Sequence, residues 1–329
     1  MRPVSILCLR FVLCLSIGTW HILTCAQSFS PSKPVKLIVS FAPGGSVDTS
    51  ARFIAAALGE YWHQTVLVEN KPGADGNIAA DFVAKNNPDG SVLLITSNAI
   101  TITPALNPLP FDPLNDLKPI VRVMSIPNFL VVHPSLPIYK VQDLIEYAKR
   151  QPNRLSFASS GTGTTPFMGM ALLQSVSGIQ MTHIPFKGSA PAVLATLSNQ
   201  TQLMFGDLNS TMPHIRAGKF RALGVSGLQR SALATDIPTI AESGVSSLAG
   251  FETSTWVGIL APKSMTRSLS QNIAQDISWV LKSNLIQEKI KTMGAQTNGE
   301  MTDDFGSFMR TDLERWSRLV KELEIKAGD

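Results

Sequence analysis

The chain has 329 residues, of which 44% are hydrophobic and 16% are charged, and its formal net charge is +4. This composition is typical of an ordinary soluble globular protein, and the length suffices for two lobes with cores of their own, so an intrinsically disordered chain is not indicated. The charged residues are interspersed, and no basic run or basic–aromatic patch favours nucleic-acid binding.

The first 26 residues, 1–26, differ from the rest. Arg2 precedes an apolar stretch without acidic residues that ends with Thr24, Cys25 and Ala26, which is the layout of a secretory signal peptide cleaved after Ala26. An uncleaved membrane anchor is one alternative, and lipid attachment at Cys25 is a minor one. Since all three cysteines lie in this segment, the mature chain is predicted to have no disulfide, thiol nucleophile or zinc–thiolate site. Two of the 28 basic residues and none of the 24 acidic residues are removed with it, which leaves a formal charge of +2.

The first part of the mature chain alternates strand and helix patterns. VKLIVSF (35–41) and VLLIT (92–96) are near-continuous apolar runs, which are typical of strands buried on both faces. Between them, apolar residues recur at steps of three and four from Val47 to Trp62 and predict a helix, and residues 66–69 predict another strand. The pattern predicts repeated β–α units around a parallel sheet.

A second series of the same kind follows a proline-rich passage (104–119) that we expect to be an ordered loop. Its predicted elements are an extended run at 121–133, a helix at 143–150, a strand from 155, a helix at 166–176, a strand at 181–185, a helix at 191–199, and strands at 202–207 and 220–226. The stretch 250–262 is extended and could return the chain to the first lobe, and the remainder is mostly helical.

Each series contains a glycine turn between a strand and a helix, APGGS (42–46) in the first and SSGTGTT (159–165) in the second. Unpaired N–H groups and the helix dipole favour an anion at such a position. Ser46, Thr162, Thr164 and Thr165 add hydroxyl donors. If the turns face each other across a cleft, they form a two-sided carboxylate receptor. Ordinary helix capping also explains these residues, and the pattern alone leaves both interpretations open.

Signatures of other chemistry are missing from the sequence. There is no GxxxxGK[ST], the GTG at 161–163 lacks the third glycine of GxGxxG, and GVSG at 224–227 is not G-x-S-x-G. The histidines of the mature chain are scattered without HExxH or paired spacing and are expected to be structural; they are His63, His133, His183 and His214. We therefore predict no catalytic residue, no metal site and no cofactor.

Two acidic residues lie near the predicted turns. Asp48 could touch a ligand, but we favour hydrogen bonding to backbone N–H groups of the first helical turn. Asp207 ends the strand QLMFGD, and strand carboxyl ends in α/β sheets point into the ligand crevice. It could select a ligand hydroxyl, amine or bridging water, or form a salt bridge with a nearby lysine.

Ten segments together carry a family resemblance. They are PVKLIVSFAPGGSVDTSAR, VLVENKPGADGNIAA, KNNPDGSVLLITSN, LPFDPLNDLKPI, LVVHPSLP, LSFASSGTGTTPFMG, HIPFKGSAPA, QLMFGDLNSTMPHIRAGKFRALGV, IPTIAESGV and WVGILAP. In these segments the mature chain resembles, over almost its full length, the periplasmic solute receptors of tripartite tricarboxylate transporters, also called Bug receptors.

The resemblance implies a two-lobed α/β periplasmic binding protein of the Venus-flytrap, type II-like class. The sheet of each lobe is then flanked by helices, with residues 33–123 and 251–329 in lobe 1 and residues 124–250 in lobe 2. It also implies that backbone amides, hydroxyls and waters of both lobes hold a carboxylate, without enzymatic activity. The matching ligand-binding positions are Phe41, Ala42, Gly44, Gly45, Ser46, Asp48, Ser97 and Asn98 in lobe 1, and Ser160, Gly161, Thr162, Gly163, Thr164, Lys187, Gly188 and Asp207 in lobe 2.

Two residues depart from the family pattern and leave the identity of the ligand open. Ala42 stands where many members have proline, and Asp75 stands where glycine is usual. An acid at 75 either discourages an anion or lies outside the pocket. We expect a periplasmic monomer that delivers a small organic acid to membrane permease subunits. A sensor partner without a role in transport is the alternative, and a periplasmic enzyme using a cleft aspartate is a less favoured one.

Overall fold

The computed structural model describes residues 29–322 and 324–325, so the predicted signal peptide lies outside the described residues. Within these ranges the chain forms ten strands: β1 (Val35–Val39), β2 (Val66–Asn70), β3 (Val92–Ser97), β4 (Leu117–Val132), β5 (Ser156–Ser159), β6 (Thr182–Pro185), β7 (Leu203–Asp207), β8 (Arg221–Val225), β9 (Ser254–Pro262) and β10 (Gln296–Thr297).

Ten α-helices accompany these strands in the described part of the chain. They are α1 (Ser46–Trp62), α2 (Asn77–Ala84), α3 (Ala99–Leu106), α4 (Val141–Arg150), α5 (Thr165–Ser177), α6 (Ser189–Leu197), α7 (Leu208–Arg216), α8 (Arg267–Leu281), α9 (Asn284–Thr292) and α10 (Thr302–Glu322). None of the helices described is both long and apolar enough to cross a membrane.

The first lobe is built on the strand order β2-β1-β3-β9-β4. Strand β1 is parallel to β2 and β3, whereas β9 runs antiparallel to β3 and β4. The predicted apolar face of α1, which includes Val47, Ile54 and Trp62, is buried in the core of this lobe. The β–α units read from the sequence therefore place the start of α1 at the carboxyl end of β1.

The second lobe continues from the same long strand. Residues 117–127 of β4 pair with β9, and residues 128–132 pair with β7 and, from Phe129, with β8. Strand β5 lies parallel to both β7 and β6 and leads into α5. Because β4 belongs to both halves of the sheet, it fixes how the two lobes meet.

Helix α10 also packs against both lobes. Phe305 and Met309 are buried in a first-lobe cluster, and Trp316, two turns later, is buried in a cluster of the second lobe. Between these points the buried carboxyl of Asp312 accepts hydrogen bonds from Thr101 Oγ1 (2.6 Å) and Trp256 Nε1 (2.8 Å). The helix thus adds a second connection beside β4.

Two short helices, α3 and α7, were not expected from the sequence pattern. Each contains an internal proline, Pro104 in α3 and Pro213 in α7. Sequence reasoning treats proline as a helix breaker, because it removes one backbone donor and clashes with the preceding turn. The proline-rich passage, which we expected to be a loop, is nevertheless helical as far as Leu106. Likewise, α7 follows β7 in the chain and precedes β8.

Candidate functional site

The glycine turn of the first lobe is held from within by Asp48. The Asp48 Oδ2 atom accepts hydrogen bonds from Gly44 N–H (2.9 Å) and Arg52 Nε (3.0 Å), and Oδ1 accepts one from Asn70 Nδ2 (2.9 Å). Burial acts to raise the pKa of Asp48, but these hydrogen bonds hold it below its ordinary value. The ionised carboxylate therefore orients the loop, and the Gly44 N–H is already used by it.

The glycine turn of the second lobe is held in a similar way by Ser159. Its hydroxyl lies 3.2 Å from the Gly161 N–H, which donates to it, and 2.6 Å from Nε2 of His183. Thr164 Oγ1 donates to the carbonyl of Gly161 at 2.6 Å. Burial lowers the pKa of His183 to about 4, so its ring is neutral at neutral pH.

A small cavity of about 40 Å³ separates the two helix starts. It is lined by Phe41, Gly45, Ser46, Val47, Ser97, Asn128, Ser160, Thr164, Thr165, Pro166, Ser189, Met204, Phe205, Asp207 and Thr255. The first N–H groups of α1 and α5 have no acceptor within their own helices, and hydroxyl groups surround them. This wall offers hydrogen-bond donors with little side-chain charge, which is suited to a carboxylate.

Asp207 is the ionisable residue in this lining. Its Oδ1 atom accepts the Ser210 N–H at 3.0 Å and caps α7. The salt bridge with a lysine considered from the sequence is therefore not the role that the geometry gives it. Its position at the carboxyl end of β7 still places it beside the cavity.

The two lobes contact each other around the cavity. Ala42 N–H donates to the carbonyl of Lys187 at 3.2 Å, and Thr165 Oγ1 donates to Asn98 Oδ1 at 2.7 Å. A Cβ atom built on Gly188 would lie 3.2 Å from the Ala42 nitrogen. These contacts across the cleft describe a closed arrangement of the lobes.

A larger cavity of about 300 Å³ shares Phe41 and Ser160 with the small one. Its wall consists of Phe41, Gly73, Ala74, Asp75, Gly76, Ser160, Gly161, Thr162, Pro185, Phe186 and Lys187. In this cavity the loop before α2 lies opposite the glycine turn before α5.

The residues singled out from the sequence fall into three groups. The small cavity is lined by Phe41, Gly45, Ser46, Ser97, Ser160, Thr164 and Asp207, and the larger one by Phe41, Ser160, Gly161, Thr162 and Lys187. The remaining six line neither cavity: Ala42, Gly44, Asp48, Asn98, Gly163 and Gly188. The ligand-binding role of all sixteen residues stays a prediction, and in the closed form several of these six hold the turns or join the lobes.

Sequence reasoning missed the contribution of the strands that cross between the lobes. Asn128 of β4 and Thr255 of β9 line the small cavity, and Thr255 Oγ1 donates to Asn128 Oδ1 at 3.3 Å. Asn128 is a polar residue within an apolar run, and Thr255 directly precedes one, which is the signal that could have identified them. Ser189, at the start of α6, was also missed.

The site shows no arrangement for metal or nucleophilic chemistry among the described residues. No group of three or more histidine, cysteine, aspartate or glutamate side chains could hold a metal ion there. Ser159 and His183 form a close pair, but Ser159 is fully buried and lies outside the lining of both cavities. The geometry is suited to binding.

Comparison with protein families agrees with this geometry. The family model described as the tripartite tricarboxylate transporter family receptor matches residues 50–325. The chain belongs to this family. Like its relatives in the family, this receptor has the two-lobed α/β fold of periplasmic binding proteins, and the family consists of solute-binding proteins.

Individual relatives are similar over most of this receptor. BugT of Bordetella pertussis is 32% identical, and the match covers 90% of this chain and 91% of that protein. The structure of R. palustris Rpa4515 with adipate is 32% identical, with a TM-score of 0.86 and coverage of 90% and 99% of the two chains. MatC (Rpa3494) from Rhodopseudomonas palustris with bound malate is 26% identical, with a TM-score of 0.82 and coverage of 88% and 99%.

Proposed function

We propose that this protein is a periplasmic solute receptor that binds a small organic carboxylate between its lobes and delivers it to a tripartite tricarboxylate-type transporter. The observation that carries the proposal is the convergence of α1 and α5, one from each lobe, with their N-termini on one cavity lined by hydroxyl groups. Two structural relatives are described with carboxylates, adipate and malate, which supports this class of ligand.

The physical basis is replacement of the carboxylate's water shell. Burying an ionised carboxylate without partners is costly, so donors from both lobes must substitute for water. Ser46 and Ser97 from lobe 1 and Ser160 from lobe 2 bring hydroxyls to the cavity beside the first N–H groups of α1 and α5. The Thr164 hydroxyl also lines it but donates to the Gly161 carbonyl. A ligand that contacts both lobes favours the closed form, because the open form offers it only half of these donors.

The proposal also covers location and partners. Export of the chain through a signal peptide at 1–26, cleaved after Ala26, would place the mature receptor in the periplasm. The proposed receptor is a monomer. The lobes are proposed to consist of residues 33–123 with 251–329 and of residues 124–250. The closed receptor then docks on the membrane permease subunits of the transporter.

The test is a ligand screen on residues 27–329. Thermal shift and titration calorimetry would use straight-chain mono- and dicarboxylates of four to eight carbons, malate, citrate, nicotinate, benzoate, terephthalate and acidic amino acids. We expect one or a few of these acids to raise the melting temperature and to be recovered unchanged. The uncharged amide of each acid that binds is the chemical control. If no acid binds, the carboxylate-receptor proposal is wrong, and turnover of a bound acid overturns the receptor-only reading.

A matched pair of serine variants assigns the site. Ser46→Ala removes a hydroxyl from the small cavity, and Ser268→Ala removes an exposed hydroxyl from α8. A hydrogen bond to a charged group contributes about 1.5–3 kcal/mol, so Ser46→Ala is expected to raise the Kd of the bound acid by roughly tenfold or more. Ser268→Ala should bind like the wild type. Equal affinity of both variants would remove Ser46 from the site.

A further inference from the structure

The loop before α2 has an unusual backbone. Gly73, Ala74, Asp75 and Gly76 all have positive φ angles, of 128°, 46°, 55° and 92°. The left-handed region is uncommon for residues other than glycine, although aspartate enters it more readily than most. Two successive residues with side chains in this region, Ala74 and Asp75, hold the loop in a shape that presents Asp75 to the other lobe.

The Asp75 carboxyl group lies against the glycine turn of the second lobe. The backbone N–H groups of Thr162 and Gly163 face it and act to lower its pKa. A Cβ atom built on Gly161 would collide with Asp75 Oδ1, and one built on Gly163 would lie 3.2 Å from Oδ2. The turn therefore closes tightly around this carboxyl group.

The ionisable side chains near this contact are few. Within the part of the chain that the structure describes, Asp75 and Lys187 are the ionisable residues that line the larger cavity, and Lys187 is exposed. Burial raises the pKa of Asp75, and the two N–H donors offset this effect only in part. The closed form thus holds a carboxyl group whose charge is incompletely compensated.

This contact has a direct consequence for ligand choice. The Thr162 and Gly163 N–H groups precede α5, where a helix start favours a negative charge. In the closed form the Asp75 carboxyl group already occupies the side of the turn that faces the larger cavity, whereas the small cavity borders the start of α5 at Thr164 and Thr165. A second carboxylate of a ligand that enters the larger cavity would meet Asp75 there, and two carboxylates sharing one site repel each other.

We propose that Asp75 is a specificity-determining residue, which occupies the anion position before α5 and restricts the receptor to ligands with a single carboxylate. This inference rests on the proposed function. The ligand carboxylate lies in the small cavity between α1 and α5. The opposite end of the ligand reaches the larger cavity beside Asp75. That end is an uncharged group, a hydrogen-bond donor or a cation.

The test compares ligand pairs that differ only in the second carboxylate. Calorimetry would measure the wild type, Asp75→Gly and Asp75→Asn with butyrate and succinate, hexanoate and adipate, octanoate and suberate, and benzoate and terephthalate. Glycine suits the φ angle of 55°, so Asp75→Gly should fold as well as the wild type, and its melting temperature checks this. Asp304→Asn, at an exposed position on α10, is the control for the loss of one negative charge.

We expect the wild type to bind monocarboxylates at least tenfold more tightly than their dicarboxylate partners. Asp75→Gly should reduce this preference at least tenfold, Asp75→Asn should reduce it by a smaller factor, and Asp304→Asn should leave it unchanged. If the wild type binds both members of a pair equally, or if Asp75→Gly keeps the wild-type preference, the role of Asp75 is wrong while the receptor function stands. If no acid binds to the wild type or to any variant, both proposals are wrong.

Discussion

His183 provides a test of how the second-lobe turn is stabilised. Its ring stacks on Phe157 and is tilted against Phe167, with centroid distances of 4.8 and 4.6 Å, and its Nε2 atom lies 2.6 Å from Ser159 Oγ. Burial lowers the pKa of His183 from 6.5 to about 4. The folded protein therefore favours the neutral ring, and protonation must destabilise the fold.

The pH window follows from the sign of this shift. Because the folded-state pKa lies below the unfolded value, the stabilising contribution is complete above pH 6.5 and is lost as pH falls from 6.5 through about 4. A shift of this size corresponds to about 3 kcal/mol in total, of which about 2 kcal/mol is lost between pH 7 and pH 5. The window ends above the range in which carboxyl groups with lowered pKa values, such as those of Asp48 and Asp89, titrate.

His183→Gln is the variant that isolates this contribution. Glutamine can still reach Ser159 with its amide, but it does not titrate. The variant also loses the ring contacts of His183, and this loss lowers its stability by the same amount at every pH. We expect the free energy of unfolding of the variant to fall about 2 kcal/mol less than that of the wild type between pH 7 and pH 5. Urea denaturation, followed by tryptophan fluorescence, measures the free energy of unfolding of the wild type and of the variant at each pH. The exposed His63→Asn variant, at a left-handed position that asparagine tolerates, should follow the wild type. Identical pH dependence in His183→Gln and the wild type would refute the reasoning.

Two further substitutions test the turns and the contact between the lobes. Asp48→Asn loses the charged acceptor of Gly44 and Arg52 and should lower the free energy of unfolding by about 2 kcal/mol at pH 7. The pKa of Asp48 is lowered, so this difference should shrink in urea titrations as pH falls below its ordinary value of 3.8. Thr165→Val removes the donor to Asn98 Oδ1 between two buried residues and should cost about 1–2 kcal/mol, measured by urea denaturation at pH 7.

Exposed positions on α10 supply the controls. Asp304→Asn and Thr311→Val make the same chemical changes away from the cleft and should stay within about 0.5 kcal/mol of the wild type. A stability loss for Asp48→Asn that is as large at pH 3 as at pH 7 would contradict the role of its charge. Wild-type stability in Thr165→Val would show that the bond to Asn98 contributes nothing to the closed form.

Features that depend on close neighbours in the chain were readable in advance. The apolar run of β1, the glycine turn and the stepped apolar face from Val47 to Trp62 lie within 30 residues and follow from local periodicity. The placement of Asp48 as the residue that holds its own loop also follows, because its partner Gly44 is four positions away. The helices α3 and α7 escaped prediction because tertiary packing tolerates prolines that local reasoning rejects.

The sequence by itself determined that this protein has two β–α series, each with a glycine turn that opens a helix, because strand, turn and helix signals act over a few residues. Only the tertiary structure decided what those turns face. Thr162 and Asp75 are far apart in the chain, and their approach depends on how β4 and α10 join the lobes. No local pattern encodes the distance between Thr162 and Asp75. The contact of the Asp75 carboxyl group with the second glycine turn therefore could not be predicted from the sequence.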